Sequence, residues 1–202
     1  MEDSMPGKVI VLLAEGFEEV EAITPIDYLR RVGIEVTVAA VGLKTPGEKP
    51  TVKGSHGIQI TADTDLHTLL AGKKLIPAEW DGVVVPGGLP GSVNLAASGE
   101  AGAFLKAMAE SGKLICAICA APARVLSPLG LLEGKKFTCF PGEEANAAGD
   151  ITGLKEDRVV IDGNTITSRG AGTAGEFACA IISKLLTDAD GKKLAERVLL
   201  RS

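Results

Sequence analysis

A cysteine lies where a predicted buried strand meets a predicted helix. Residues 114–118, Leu-Ile-Cys-Ala-Ile, form a short apolar run that is typical of a strand buried on both faces. Pro122 suits the first turn of a helix, where its missing N–H costs no hydrogen bond. Cys119 would therefore face unpaired N–H groups and the positive end of a helix dipole, which favour a thiolate. The same position fits, equally well, a small buried cysteine that has only a packing role.

The other cysteines are predicted to pack in the core. Cys116 and Cys119 form a C-x-x-C pattern, but three extended residues would separate their Cα atoms by ~10 Å. A disulfide requires less than ~7 Å, so a redox pair is not expected. Cys139 and Cys179 lie among apolar residues, and packing is their default role.

The chain has two histidines, and neither adjoins the cysteine in sequence. His56 and His67 both precede Cys119, and no histidine follows it. This order excludes a Cys–His–acid hydrolase arranged like a glutamine amidotransferase, in which the histidine follows the cysteine. Nothing in the sequence clusters as a metal site, so we predict no metal and two histidines that face solvent.

Acidic residues are the remaining candidates for proton transfer. Glu18, Glu19 and Glu21 crowd the first turn of a predicted helix that follows the first strand. Acidic residues at a helix N-terminus also stabilise the helix dipole by ~0.3–1 kcal/mol each, which explains one or two of them without any chemistry. Pro25 denies the Glu21 carbonyl its usual amide partner. Helical periodicity does not tell which glutamate points inward.

Two glycines directly follow another predicted strand. Pro86-Gly87-Gly88 comes after the apolar run 82–85. Glycines at this place let backbone N–H groups approach a ligand closely, as an oxyanion site requires. A tight turn into the next helix is an equally good interpretation.

Alternating strands and helices predict an α/β fold with a single domain over residues 1–202. A strand at 8–14, a helix at 18–32 and a strand at 34–41 form a βαβ unit, which favours a parallel sheet. Further strands are predicted at 51–61 (a hairpin), 82–85, 114–118, 136–140, 158–161 and 165–168. Further helices are predicted at 65–71, 101–111, 120–126, 176–186 and 188–200, with loops at 43–50 and 73–79.

Composition excludes several classes of partner. The formal net charge is −5 and no basic stripe is visible, so nucleic-acid binding is not expected. No apolar run approaches the ~20 residues that cross a bilayer, so no membrane association is expected. Glu2 and Asp3 stand where a signal peptide has basic residues. These observations predict a cytoplasmic protein with reduced cysteines.

Five ordered motifs resemble the ThiJ/PfpI superfamily, and within it the DJ-one branch and its bacterial relatives. The motifs are Gly16-x-Glu18-Glu19-x-Glu21, Pro25-x-Asp27, Val83-Val84-Val85-Pro86-Gly87-Gly88, Ala117-Ile118-Cys119-Ala120-Ala121-Pro122 and Thr167-Ser168-Arg169-Gly170-x-Gly172-Thr173. The resemblance runs over residues 8–186, which is nearly the whole chain. It implies a flavodoxin-like sandwich with helices on both faces of a mostly parallel sheet, a homodimer and no cofactor.

The resemblance also assigns roles to residues of this chain. Cys119 takes the position of the nucleophile, on a strained strand-to-helix turn called the nucleophile elbow. Glu21 takes that of a protonated glutamate that hydrogen-bonds the thiolate. Gly88 and the amide of Ala120 correspond to the oxyanion donors, and Gly87 belongs to the pocket.

The chain departs from the family pattern at several pocket positions. Phe140 stands where the animal branch often has histidine, and Ala171 where relatives often have proline. His56 replaces a basic residue that the partner subunit often offers to the pocket. Arg31 is the expected anion contact at the dimer face. Peptidase members have histidine directly after the cysteine, and Ala120 at that place argues against proteolysis.

The leading hypothesis is an enzyme acting on reactive 2-oxoaldehydes such as methylglyoxal, or on their protein adducts, without glutathione. The Cys119 thiolate would form a hemithioacetal, and Glu21 would move a proton between adjacent carbons. The alternative is a redox-sensing stress-response chaperone in which Cys119 is oxidised to a sulfinate. A third interpretation is an α/β protein with an inert cysteine.

Overall fold

A seven-stranded sheet forms the centre of the protein. The computed structural model describes residues 7–43, 49–71 and 77–201. The strands are β1 (Lys8–Leu13), β2 (Glu35–Ala40), β3 (Thr51–Lys53), β4 (Gln59–Thr61), β5 (Thr64–Asp65), β6 (Gly82–Val85), β7 (Leu114–Ile118), β8 (Val159–Asp162) and β9 (Thr165–Ser168). The helices are α1 (Glu19–Arg31), α2 (Leu66–Leu70), α3 (Gly91–Ala97), α4 (Gly99–Glu110), α5 (Ala174–Leu185) and α6 (Asp188–Arg197).

The strand order in the large sheet is β5-β2-β1-β6-β7-β9-β8. Every neighbouring pair is parallel except β8 and β9, which form an antiparallel hairpin. β3 and β4 pair antiparallel as a separate two-stranded hairpin. The predicted mostly parallel α/β architecture is therefore confirmed, as are both predicted hairpins.

Two apolar cores cover the two faces of the sheet. Along β1, Val9, Val11 and Leu13 join the core beneath α1 and α5. Ile10 and Leu12 alternate with them and join the opposite core, which includes α4. This alternation follows from the two-residue side-chain period of a strand. Burial on both faces explains why β1 reads as a continuous apolar run.

The sheet order brings three chain segments to one place. β6 pairs with β1 on one side and β7 on the other, and all three run in the same direction. Their carboxyl ends therefore lie side by side at one edge of the sheet, which is where open α/β sheets bind ligands. The three segments that follow these strands are the acidic turn into α1, the Gly87-Gly88 turn and Cys119.

Three predicted elements differ from the structure. Residues 136–140 form no strand; Phe137 makes one isolated bridge with Leu154. The next amides are taken elsewhere, since the Thr138 N–H donates to Thr167 Oγ1 and the Phe140 N–H donates to the Cys119 carbonyl. These bonds leave no ladder for a neighbouring strand.

The predicted helix at 120–126 is instead a π-helical turn, Pro122–Leu126, followed by a 3₁₀ turn, Ser127–Leu129. The Ser127 N–H reaches back five residues to the Pro122 carbonyl, and Pro128 has no N–H to continue a regular helix. The last helix ends at Arg197 rather than at 200.

Parts of two predicted loops, residues 44–48 and 72–76, lie outside the described residues, as do residues 1–6. Within the described ranges, no helix is both long enough and apolar enough to cross a bilayer.

Candidate active site

Cys119 occupies a strained turn directly after β7. Its φ is 65°, in the left-handed region that residues other than glycine rarely adopt. The Cys119 N–H donates to the Ser168 carbonyl (2.9 Å), and the Cys119 carbonyl accepts from the Phe140 N–H (2.8 Å). Such a conformation costs ~1–3 kcal/mol and persists only where the surroundings impose it. The half-buried side chain thus lies on the strand-to-helix elbow that the resemblance implies.

Glu21 is the glutamate that points toward the cysteine. Its side chain is buried beneath the first turn of α1, with 1% of the residue exposed, and its Oε2 accepts from the Gly87 N–H at 2.9 Å. Glu18 is the N-cap of α1 and accepts from the Glu21 N–H at 2.8 Å. Glu19 is buried on a different side, against the β3–β4 hairpin. The structure thus answers the question that helical periodicity leaves open.

Gly87 separates the two side chains and cannot carry one of its own. A Cβ at this position would lie 2.6 Å from Cβ of Cys119 and 2.6 Å from Oε2 of Glu21. The missing side chain lets the Glu21 carboxyl and the Cys119 thiol interact by hydrogen bonding across this residue. Gly87 is therefore part of the site, as predicted for a pocket residue.

Two backbone N–H groups also lie within hydrogen-bonding reach of the sulfur. They belong to Ala120, directly after the cysteine, and to Gly88. Gly88 has a φ of 92°, and a Cβ there would lie 2.6 Å from the Gly16 carbonyl oxygen. The close packing of this turn aims the Gly88 amide at Cys119. The positions predicted as oxyanion donors are therefore next to the sulfur.

Glu21 and Cys119 influence each other's protonation. Burial raises the pKa of Glu21 to about 7; the hydrogen bond with Cys119 opposes this rise, and the nearby charge of Glu18 adds to it. Burial, and then an ionised Glu21, raise the pKa of the Cys119 thiol, while the Ala120 and Gly88 amides lower it. Two anions in contact at a buried site are unfavourable, so the pair holds one proton near neutral pH. The net effect is a raised pKa of Cys119, which favours the neutral thiol and opposes the thiolate that the sequence predicts. A thiolate forms at this site only where Glu21 holds the shared proton.

His56 faces solvent as predicted, but it belongs to a cluster of possible metal ligands that the sequence does not reveal. Its Nδ1 lies 2.8 Å from Oε2 of Glu19 and 3.9 Å from Oε1 of Glu18. Donor atoms of these three residues lie within 4.8 Å of one another, a spacing that a metal ion could bridge. The His56 ring is 71% exposed, and the neighbouring carboxylate of Glu19 raises its pKa.

Glu19 serves as an anchor for the hairpin. Its Oε1 accepts from the backbone N–H groups of His56 (2.7 Å) and Ile58 (3.3 Å). Burial opposes ionisation of Glu19, but these hydrogen bonds and the one from the His56 ring lower its pKa. The ionised carboxylate therefore ties β3–β4 to α1. His67 lies elsewhere, with Nδ1 2.7 Å from Oε1 of Glu100.

The remaining pocket candidates divide into two groups. Phe140 is near the site: a Cβ at Gly170 would lie 3.2 Å from its ring and 3.8 Å from Oε1 of Glu21. Ala171 is exposed at the start of the adjoining turn Ala171–Thr173. Arg31 is not at the pocket of its own chain; it pairs with Asp27 at 2.6 Å near the far end of α1.

Sequence reasoning missed an ion pair behind the site. Arg124, in the π-helical turn after the cysteine, donates from Nε and Nη2 to the carboxylate of Glu143. The two residues are 19 positions apart, and nothing in the sequence links them. The pair joins the elbow to the segment that carries Phe140.

Comparison with known proteins identifies the family of this chain. The family model described as "DJ-1/PfpI family" matches residues 7–184. The chain belongs to the DJ-1/PfpI family. Family relatives include Protein dj-1beta of Drosophila melanogaster, which is 40% identical over 196 residues, 97% of this chain and 98% of its own length. The crystal structure of Drosophila melanogaster DJ-1beta has a TM-score of 0.85 at 39% identity and covers 98% of this chain and 100% of its own.

Two other members of the family are informative. Deglycase PH1704 of Pyrococcus horikoshii is 34% identical over 163 residues, 80% of this chain and 89% of its own length. The structure of oxidized Toxoplasma gondii DJ-1 is 34% identical with a TM-score of 0.85, covering 97% of this chain and 100% of its own.

The raised pKa of Glu21 predicts that the free energy of unfolding depends on pH. Between pH 4.5 and 7 the carboxyl is ionised in the unfolded chain but protonated in the folded one, so the free energy of unfolding falls as pH rises through this range. Glu21→Gln removes this dependence. Relative to the wild type, the variant should gain about 3 kcal/mol between pH 4.5 and pH 8, measured by urea unfolding.

The matched control for this prediction is Glu110→Gln, which changes an exposed glutamate on α4. Its unfolding free energy should run parallel to that of the wild type across the same pH range. A Glu21→Gln curve that is also parallel to the wild type would show that Glu21 is ionised in the folded protein at pH 5.

Proposed function

We propose that this protein is a cysteine-dependent glyoxalase and deglycase that acts on 2-oxoaldehydes or their protein adducts without glutathione. The observation that carries the proposal is the buried carboxyl of Glu21 beside Cys119, with the amides of Gly88 and Ala120 at the sulfur. A nucleophile, a proton carrier with a pKa of about 7 and two oxyanion donors are the groups this reaction needs.

The first step forms a hemithioacetal. With its proton on Glu21, the Cys119 thiolate attacks the aldehyde carbon, and a C–S bond replaces the C–O π bond. The resulting oxyanion accepts hydrogen bonds from the Gly88 and Ala120 amides and takes the proton from Glu21. Glu21 is then a carboxylate and can act as a base.

The second step moves hydrogen between adjacent carbons. The Glu21 carboxylate removes the proton from the former aldehyde carbon, giving an enediolate, and returns it to the neighbouring carbon. The hydroxyl proton on the former aldehyde carbon moves to the oxygen of the neighbouring carbon, which leaves a thioester on Cys119. One carbon is oxidised as the other is reduced, so no external oxidant is required. Water then attacks the thioester, the C–S bond breaks, and a 2-hydroxy acid leaves with Cys119 regenerated. The net reaction adds one water to the substrate.

The same adduct chemistry supports deglycation. When the C–N or C–S bond of a hemiaminal or hemithioacetal on a protein breaks, the hydroxyl proton passes to the departing amine or thiol and the aldehyde is released. Cys119 then attacks this aldehyde, which follows the steps above. The relative in Pyrococcus horikoshii that carries the name deglycase supports this choice of reaction. We propose that the protein works in a reducing compartment such as the cytoplasm, where its four cysteines remain thiols.

We also propose a homodimer built on α1 and the β3–β4 hairpin. Val20 and Ile23 are 47% and 41% exposed, and Ile58 of the hairpin is 53% exposed. Glu19 accepts from the Ile58 N–H, so the hairpin that carries Ile58 is attached to the helix that carries Val20 and Ile23. Arg31 recurs on the same helical face as Val20 and Ile23, which supports its predicted place at the dimer face.

A redox sensor at the same site is the second candidate. The observation in its favour is that the Gly88 and Ala120 amides and the Glu21 carboxyl all reach the sulfur, so they could stabilise a sulfinate by hydrogen bonding. The structural relative described as oxidized Toxoplasma gondii DJ-1 supports oxidation as a second candidate reaction. Sulfinate formation would consume two equivalents of peroxide per thiol.

The enzyme proposal predicts large losses on substitution at the site. Lactate formation from methylglyoxal should fall at least about 100-fold in both Cys119→Ser and Glu21→Gln, because one removes the nucleophile and the other the proton carrier. Cys179→Ser is the matched control, since Cys179 is another half-buried thiol. It should keep the wild-type rate. Equal rates in the wild type and Cys119→Ser would remove Cys119 from the mechanism.

The sensor candidate predicts selective oxidation. In a peroxide titration followed by mass spectrometry of peptides, Cys119 should gain two oxygens at peroxide concentrations that leave Cys139 and Cys179 unmodified. The physical reason is that thiolate character and access set the rate, and Cys139 is buried. If Cys119 is no more oxidisable than Cys179, the sensor candidate fails while the enzyme proposal stands on its own assay.

The dimer proposal predicts a specific change in mass. The wild type should sediment as a dimer. The variant Ile23→Asp should sediment as a monomer, because it places a charge in the apolar surface. Ile161→Asp is the control, because Ile161 is 50% exposed on the edge strand β8. It should remain dimeric. A wild type that is monomeric at tens of micromolar would contradict the proposal.

A further inference from the structure

The Phe140 ring is placed differently from those of the other phenylalanines. Phe17, Phe104, Phe137 and Phe177 are fully buried in the two cores, whereas Phe140 is 48% exposed. A single exposed apolar side chain is common and needs no explanation by itself. The position and the rigidity of this one distinguish it, because the ring borders the proposed reaction site and its backbone is held on both sides.

The backbone of Phe140 is tied to the elbow. Its N–H donates to the Cys119 carbonyl at 2.8 Å, and its carbonyl accepts from the Glu143 N–H at 3.0 Å. A shift of Phe140 would therefore break a hydrogen bond to the nucleophile residue. The ring is placed relative to the sulfur by the backbone and not by a mobile loop.

The Arg124–Glu143 ion pair supports the same segment from behind. The side chains of both residues are mostly buried, with 24% and 14% exposed, and Nη2 lies 3.3 Å from Oε1. Arg124 belongs to the turn after Cys119, and Glu143 begins the 3₁₀ turn Glu143–Asn146 after Phe140. A two-point Arg–carboxylate contact of this kind has a defined geometry, so it holds the two segments in register.

The ring also faces the proton carrier across a glycine. A Cβ at Gly170 would meet Cδ2 of Phe140 at 3.2 Å and Oε1 of Glu21 at 3.8 Å. The aromatic ring and the carboxyl of Glu21 therefore both lie within 4 Å of the position that a side chain at Gly170 would occupy. A substrate carbon that exchanges a proton with Glu21 would carry its substituent toward this ring.

We propose that Phe140 forms an apolar subsite for the substituent of the 2-oxoaldehyde and that the protein prefers aryl-substituted substrates over methylglyoxal. This inference rests on the proposed function and names its substrate class. An aryl group can pack against the Phe140 ring in an offset or edge-to-face arrangement, whereas a methyl group covers little of it. Apolar pockets discriminate between substituents of different size by about 10- to 200-fold.

Turnover provides the first measurement. The ratio of kcat/KM for phenylglyoxal to kcat/KM for methylglyoxal should exceed 1 in the wild type and fall about 10-fold in Phe140→Ala. Phe140→Leu, which keeps an apolar side chain, should lie between them. Ile161→Ala, which removes an equally exposed apolar side chain on β8, should leave the ratio unchanged. Thermal unfolding of each variant checks that it is folded.

Alkylation of Cys119 tests the subsite without requiring catalysis. Iodoacetamide and N-benzyl iodoacetamide both form a C–S bond with the thiolate and release iodide, but only the second presents an aromatic ring. The ratio of the benzyl rate to the parent rate, followed on the Cys119 peptide by mass spectrometry, should fall about 10-fold in Phe140→Ala.

These two assays separate the possible failures. If the wild type turns over neither aldehyde but the alkylation ratio falls in Phe140→Ala, the proposed function fails and the aromatic subsite stands. If the wild type turns over both aldehydes and neither ratio changes in Phe140→Ala, the proposed function stands and the subsite is refuted. An alkylation ratio equal in the wild type, Phe140→Ala and Phe140→Leu refutes the subsite in every case.

Discussion

The contact between the buried carboxyl of Glu21 and the half-buried thiol of Cys119 constrains the rest of this structure. Two anions in contact at such a site would be costly. The proton therefore stays with the pair near neutral pH, and the chemistry depends on which atom holds it. A carboxylic acid beside a thiolate provides a nucleophile and an acid at once. If the proton lies on the sulfur instead, the pair is a neutral thiol beside a carboxylate base, and the thiol is a poor nucleophile.

The fold maintains this contact by denying space to side chains. A Cβ at Gly87 would collide with both partners, and one at Gly88 would collide with the turn before α1. Cys119 itself adopts a φ of 65° that its side chain disfavours. These features are stable because β1, β6 and β7 are adjacent, parallel and buried, so their carboxyl ends are rigidly placed. The strain at the elbow is thus offset by the central strands of the sheet.

The sequence was informative wherever a local pattern determines structure. The apolar run before Cys119, with Pro122 after it, predicts the strand and the turn, and the βαβ unit predicts the parallel sheet. Predictions from the sequence were wrong where residues far apart in the chain determine the local structure. Residues 136–140 look like a strand, but Thr167 captures the amide of Thr138. His56 looks solitary, but the hairpin folds back and brings it to Glu19, which is 37 positions away.

Three glutamates in one helical turn show how tertiary context divides equal residues into different roles. Helix-dipole stabilisation would treat Glu18, Glu19 and Glu21 alike. In the fold, Glu18 caps the helix, Glu19 is ionised by hydrogen bonds from the hairpin, and Glu21 is buried where its proton is retained. The pKa of Glu19 falls because several hydrogen bonds outweigh the effect of burial on its carboxyl. The pKa of Glu21 rises because its deeper burial outweighs the few hydrogen bonds that it receives. Depth of burial and the number of donors together decide which glutamate can carry a proton.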